Sequence, residues 1–208
     1  MKAAAVARCA WVAIAALLLA GCVTLSKPAP RIQQFRLDYT AAAPVGTPLP
    51  VVMRVLPMEV APAYDRDAIV YRQRDYQVGS YFYYRWASNP GDMIADLLAR
   101  DMAASGLYRD VQTAVSIVRP DYQLKGTVEE IEETINVSCA AHLAIRLTLA
   151  ATRGPVDDRI LFSRLYAADE PCACNDATAV AAAMSQALAR ISAGVQSDVY
   201  RAIAAAGH

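Results

Sequence analysis

The last thirty or so residues constrain the fold most. From about Asp176 to Ala206, Val180, Met184, Leu188, Ile191, Val195, Val199 and Ile203 recur at helical spacing and form one apolar stripe. A helix that is apolar on one side must lie against something, so the rest of the chain has to supply a broad apolar surface. The segments before it supply that surface as strands. Arg31–Tyr39, Val51–Val60, Ala68–Arg74, Tyr76–Tyr84, Tyr108–Val118, Tyr122–Val137, Cys139–Thr152 and Ile160–Ala168 carry the β-branched, aromatic and alternating residues of strands. Pro57 marks an edge or a bulge in the second of them. Ala41–Pro50 reads as a loop, and Gly154-Pro155-Val156-Asp157-Asp158 as a five-residue hairpin turn.

A second helix start is written at Asn89-Pro90. Asn can cap, Pro suits the first helical position, and Asp92 sits near the positive end of the helix dipole. Ile94, Leu97, Leu98, Met102 and Ser105 follow at helical spacing, and Gly106 closes the element. The order β-β-β-β-α-β-β-β-β-α predicts a single α+β domain, with two main helices packed on an antiparallel or mixed sheet.

The amino terminus is a targeting segment. Lys2 and Arg8 precede an uncharged apolar run, Ala10–Ala20, which is too short to span a bilayer. It ends in Leu19-Ala20-Gly21-Cys22, the pattern cut by lipoprotein signal peptidase, in which small residues admit the backbone and the thiol takes the lipid. Three regions follow: signal peptide 1–21, lipidated tether 22–30, and domain 31–208, with Cys22 the lipidation site. Several acyl chains anchor stably where one does so only marginally. Val23, where inner-membrane retention commonly uses Asp, favours the outer membrane with the domain facing the periplasm; the inner membrane stays open.

Of the 20 basic residues, Lys2 and Arg8 leave with the signal, so 18 remain against 20 acidic ones, a net charge near −2. No basic stripe exists to hold nucleic acid. There is no Gly-x-Ser-x-Gly, no His-Glu-x-x-His and no phosphate-cradling glycine loop, so no catalytic residue, cofactor or metal site is assigned. His142 reads as structural or surface. Glu129-Glu130-Ile131-Glu132-Glu133 reads as the solvated face of a strand extending past the sheet, with a charged partner surface as the other reading.

Of five cysteines, Cys9 leaves with the signal and Cys22 is lipidated. A hairpin turning about position 156 would set Cys139 opposite Cys172, which makes that pair the expected disulfide, with Cys174 the alternative partner. In Tyr81-Phe82-Tyr83-Tyr84-Arg85-Trp86, strict alternation would put Tyr81, Tyr83 and Arg85 on one face and Phe82, Tyr84 and Trp86 on the other. One face can be core; the second either meets a partner or is covered by the domain itself. Tyr83, Tyr84, Arg85 and Trp86 are the candidate partner-binding residues, because aromatics and Arg dominate binding hot spots.

Several of these segments together resemble a known family. Phe35-Arg36-Leu37-Asp38, Val52-Met53-Arg54-Val55, Val60-Ala61-Pro62-Ala63-Tyr64-Asp65-Arg66, Ile69-Val70-Tyr71-Arg72 and Tyr83-Tyr84-Arg85-Trp86-Ala87 stand in the order found in the auxiliary lipoproteins of ABC-type transport systems, the PqiC-like group found beside MCE proteins. The resemblance covers roughly Arg31 to Ala204. It implies a non-catalytic periplasmic partner of a permease, an ATPase and an MCE-domain protein, with phospholipid or another hydrophobic cargo moving between membranes. A lipid-binding carrier, or an outer-membrane activator of cell-wall synthesis, are the alternative readings.

Overall fold

A computed structural model of the chain describes residues 30–42, 46–113, 118–152 and 159–207. The signal segment, Cys22, most of the tether, the tail of the strand expected over Tyr108–Val118, and the turn 154–158 lie outside these residues. Among the described residues nine strands and two helices follow one another as β1 (Gln33–Phe35), β2 (Leu49–Val55), β3 (Glu59–Val60), β4 (Ala68–Arg74), β5 (Gln77–Trp86), α1 (Pro90–Ala104), β6 (Tyr108–Gln112), β7 (Tyr122–Ile135), β8 (Cys139–Ala151), β9 (Arg159–Cys172) and α2 (Ala177–Ala206). The expected α+β class holds, with a mixed sheet and two helices. The single strand expected over Val51–Val60 is two, because the chain leaves the ladder around Pro57, which has no N–H to donate.

β7 organises the sheet. One of its edges pairs along its whole length with β8, antiparallel, and β8 pairs in turn with β9. The other edge is shared by three strands in succession, all parallel: β2 opposite Tyr122–Leu124, β3 opposite Thr127 and Val128, β4 opposite Glu133 and Thr134. The sheet therefore forks. β2 carries β6 at one end, while β4 carries β5 and then β1 at the other.

The helices cover one face. α1 rests on β2, β3, β6 and β7, and α2 on β8 and β9. Asn89 accepts from the Gly91 N–H at the start of α1, and Gly106 follows its end at φ +65°, as the sequence foretells. Asp176 caps α2 by accepting from Thr178 and Ala179. All seven residues of the α2 stripe are buried against Leu143, Ile145, Leu147 and Leu149 of β8 and the rest of one continuous core.

A bulge between Val128 and Glu130 keeps the pattern consistent. Val128 and Ile131 are three apart, yet both are buried, opposite Ile145 and Leu143; without the extra residue one of them would face the open side. The chain after β1 crosses the helices and is tied there by the Asp101 carboxylate, which accepts from Tyr39 (2.6 Å), Ser192 (2.6 Å) and Arg100 (2.8 Å). Arg100 also stacks 4.7 Å from the Tyr39 ring centroid. Ile32–His208 make up one compact unit.

Candidate functional site

The β4–β5 hairpin lies outside the main footprint of the helices, and the aromatic residues of the chain gather on it. Their arrangement departs from the alternation expected of a strand. Val70 pairs with Ser80 but Ala68 pairs with Arg85, so β5 takes up extra residues between Ser80 and Arg85. A bulge of that kind re-aims the side chains within it. Tyr81 and Tyr84, expected on opposite faces, pack against each other at 5.4 Å, and Phe82 and Tyr83 form a separate edge-on pair at 4.9 Å. The first pair extends into a row: Phe35 meets Tyr84 at 6.1 Å, and Tyr81 meets Tyr71 at 4.9 Å. Such edge and tilted geometries add about 0.5–1.5 kcal/mol per pair beyond burial. The Tyr71 ring lies across Gly79, its cross-strand partner, so closely that a β-carbon there would sit 2.5 Å from the ring. A backbone without a side chain is what lets that ring lie flat on β5.

The four candidate contact residues therefore part company. Trp86 is 2 % exposed and belongs to the core, a correction to its expected place on a contact surface. It sits where β1 pairs with β5 and closes that edge, Phe35 opposite Trp86. Tyr84 is half-buried in the aromatic row. Arg85 donates to Asp67 at 2.8 Å, and that hydrogen bond holds the Asp67 carboxyl below its usual range. Tyr83 alone of the four is counted among the exposed large apolar side chains. The residues that the sequence reading missed are Phe82, 70 % exposed, and Tyr76, fully exposed at the hairpin tip, with Val78 beside them. No period in the sequence marks Phe82, because a bulge and not the pleat turns it outward.

Beneath the hairpin the acidic run of β7 is solvated only in its first half, a correction: Glu129 and Glu130 are partly exposed, and the other two glutamates are not. Glu132 and Glu133 are buried, because β7 is central in the sheet and not an overhanging edge. Glu132 faces the side of the sheet away from the helices. It accepts from Tyr64 (2.8 Å) and Arg72 (2.5 Å), and burial and this carboxylate push the Tyr64 phenol well above its ordinary pKa. Glu133 accepts from Tyr81 at 2.7 Å, while its Oε1 has no hydrogen-bond partner among the described residues. Glu129 pairs with Arg146, and Glu130 with His142 at 3.2 Å. The other imidazole nitrogen of His142 lies 2.7 Å from Asp169. Carboxylates thus occupy both His142 nitrogens.

The disulfide is also close by, and its pairing is corrected: Cys139 joins Cys174, with Cα atoms 5.2 Å apart, and Cys172 is a free thiol. The strand register does put Cys139 opposite Cys172, as expected of the hairpin. The turn after β9 decides the outcome. β9 ends at Cys172, and Cys174, two residues beyond that register partner and just before Asn175 at φ +58°, is the residue whose sulfur meets Cys139. Burial, with Glu133 and Asp176 nearby, raises the pKa of the Cys172 thiol.

A shallow groove of about 720 Å³ opens beside β3 and the start of α1. Met58, Val60 and Pro62 supply its apolar wall, and Glu59, Asp65 and Asp92 its carboxylates. Gly91 lets α1 approach this wall: a β-carbon there would lie 2.2 Å from the Met58 carbonyl. Among the described residues no cluster of His, Cys, Asp and Glu could hold a metal ion, and no helix is long and apolar enough to cross a membrane.

Comparison with known proteins agrees with this architecture. The family model described as ABC-type transport auxiliary lipoprotein component matches residues 35–196. Protein XCC0632 from Xanthomonas campestris is similar in structure, with a TM-score of 0.73 at 23% identity, over 82% of this chain and 95% of that one. Hypothetical protein CT253 from Chlamydia trachomatis superposes at a TM-score of 0.52 and 9% identity, over 73% and 96% of the two chains. At these identities the likeness concerns the fold alone. No curated protein matches the chain.

Proposed function

Because the chain belongs to the family of ABC-type transport auxiliary lipoproteins, we propose that it is a periplasmic docking component of such a system, held by lipid at Cys22 in the outer membrane and working by binding, not by bond chemistry. The observation that carries this reading is the match over residues 35–196, which takes in every strand from β2 to β9 and most of both helices, joined to the Leu19-Ala20-Gly21-Cys22 signal in the same chain.

The finer assignments extend that reading. The partner is an MCE-domain protein working with an ABC permease and ATPase, and the cargo is phospholipid or a similar hydrophobic molecule. The domain suits a passive role: its buried carboxylates are engaged by Tyr, Arg and Ser side chains that tie elements together. ATP hydrolysis belongs to another subunit in this scheme.

The test is made in the native envelope. The Cys22→Ser protein should leave the membrane fraction and appear in the soluble periplasm, while the parent sediments with outer-membrane markers. Tagged parent protein, taken from detergent-solubilised envelopes, should bring down an MCE-domain protein. Equal distribution of parent and variant would end the anchoring claim. Recovery of a cell-wall synthase in place of the MCE protein would end the transport claim, and co-purified stoichiometric lipid would make the domain a carrier.

A further inference from the structure

The exposed large apolar side chains are not spread evenly. Tyr76 is at the tip of the β4–β5 hairpin, Val78 and Phe82 are on β5 with Tyr83 next to them, and Ile32 precedes β1. Val137, fully exposed, is in the turn between β7 and β8. The register places Tyr76 and Val137 at one end of the sheet, and Val78, Phe82, Tyr83 and Ile32 along the edge of β5 that leads to it. β4 runs parallel to β7, with Tyr71 opposite Glu133 and Arg72 opposite Thr134, so the turn after Arg74 and the turn after Ile135 emerge side by side. The far end, where Tyr122 faces Ala151 and Ala151 faces Arg159, carries Ile160 and Val118.

The path of the chain says what covers the richer end. β1 is parallel to β5, and Gln33 pairs with Tyr84. Ile32 therefore enters the sheet beside Tyr83, in the half that leads to the aromatic tip. From Cys22 to Ile32 there are nine intervening residues, so the two are at most roughly 35 Å apart when the chain is fully extended. A lipid at Cys22 thus keeps the bilayer within roughly 35 Å of Ile32, close enough for the β5 edge beside it to rest on the surface.

The chemistry fits the same occupant. Tyr76 on the hairpin tip and Phe82 on the β5 edge present apolar rings, with a phenol hydroxyl suited to the headgroup level. The formal charges around the patch nearly cancel, with Arg74 against Asp75 on the tip and Asp176 at the start of α2. Apolar insertion, not attraction to anionic lipid, would therefore supply the contact.

We propose that this end of the sheet and the β5 edge leading to it, which present Tyr76, Val137 and Phe82, seat in the headgroup region of the phospholipid bilayer that holds the Cys22 lipid. The proposal rests on the lipoprotein reading above. It makes the anchor and the hairpin two attachments to one membrane and so fixes the direction in which the domain stands. Strands of 13 or 14 residues carry the opposite end up to roughly 45 Å from that surface, which leaves the strand ends at Ala151 and Arg159 and the β2–β6 end facing the periplasm for a protein partner.

The experiment uses the full lipidated chain in vesicles of phosphatidylethanolamine and phosphatidylglycerol. A photo-reactive benzoylphenylalanine replaces Phe82 in one sample and Ile160 in another, and adducts are read by mass spectrometry. Flotation of the vesicles first reports the anchor by itself. Protein that does not float refutes the lipoprotein reading on which the proposal depends. With flotation intact, phospholipid adducts at 82 at least ten-fold above those at 160, unchanged between 50 mM and 500 mM salt, are the expected result. Equal labelling at the two positions, or no lipid at 82, overturns the proposal while leaving the anchor standing. Repeated in intact envelopes, labelling at 82 of a second copy or of another protein, without lipid, also overturns it and gives this end to a protein interface.

Discussion

Trp86 and Phe82 are four residues apart in one strand and have opposite fates. Trp86 is held from both sides, with β1 pairing along the outer edge of β5 and the Asp67 carbonyl accepting from its N–H. Phe82 lies where β5 has bulged away from β4 and before β1 begins to pair. Large aromatic side chains occupy both places, so hydrophobicity does not distinguish core from contact surface here. What distinguishes them is whether a neighbouring strand is present to complete the edge. Half of β5 is architecture, and half is free to meet something else.

Five changes would break or sharpen that contrast. The largest effect is expected of Trp86→Ala, which should cost about 3–5 kcal/mol in denaturant unfolding, the usual toll of emptying a large core site. Phe82→Ala in parallel should stay within about 0.5 kcal/mol; similar losses for both would erase the distinction. Next is Gly79→Ala. Its β-carbon would displace the Tyr71 ring, at a cost of about 1–3 kcal/mol, and should alter the near-ultraviolet dichroism of the tyrosine row more than that of Trp86.

A smaller effect attaches to Asp67, whose carboxyl is held low by the Arg85 hydrogen bond. A depressed folded-state pKa means that this stabilisation is present above the ordinary aspartate range, near pH 4. It is lost as pH falls through the lowered value. Asp67→Asn should therefore lower the Tm slightly at pH 7, by an amount muted by solvent exposure, and the gap between variant and parent should close by about pH 2–3. A gap that persists in acid would mean that the Arg85 pair does not hold this half of β5. The smallest structural effect is expected of Cys172→Ser, which removes a thiol outside the disulfide. Its raised pKa keeps that thiol protonated near neutrality, so in the parent it should react with iodoacetamide more slowly than free cysteine at pH 7.5. Fast alkylation, or loss of the Cys139–Cys174 bond in the variant, would show that the thiol is engaged differently.

The helices were legible because their signals are local. Asn89 and Asp176 cap within three residues of themselves, and the α2 stripe depends only on the helical repeat. The strands were legible as segments but not in their side-chain directions. In β7 and β5 a bulge inserts residues that break the two-residue period, and whether a bulge forms depends on strands far away in sequence. The acidic run misled for a related reason. Four glutamates in five positions look like surface, but Tyr64, Tyr81 and Arg72, all from β4, β5 and the loop before them, arrive to satisfy the two that are buried. The candidate site was half visible: the aromatic segment was the right one, while Trp86 and Tyr84 proved to be packing and Tyr76 and Phe82 the surface.

By itself the sequence determined that this chain has two one-sided helices packed on an antiparallel or mixed sheet. Those properties depend on neighbours a few residues apart along the chain. Only the tertiary structure decided which aromatic rings are buried, which sulfur Cys139 meets and how the carboxylates of β7 are satisfied. The reason is that β7 lends a single edge to three strands in turn, so the register of each depends on where the others end, and no local pattern encodes that.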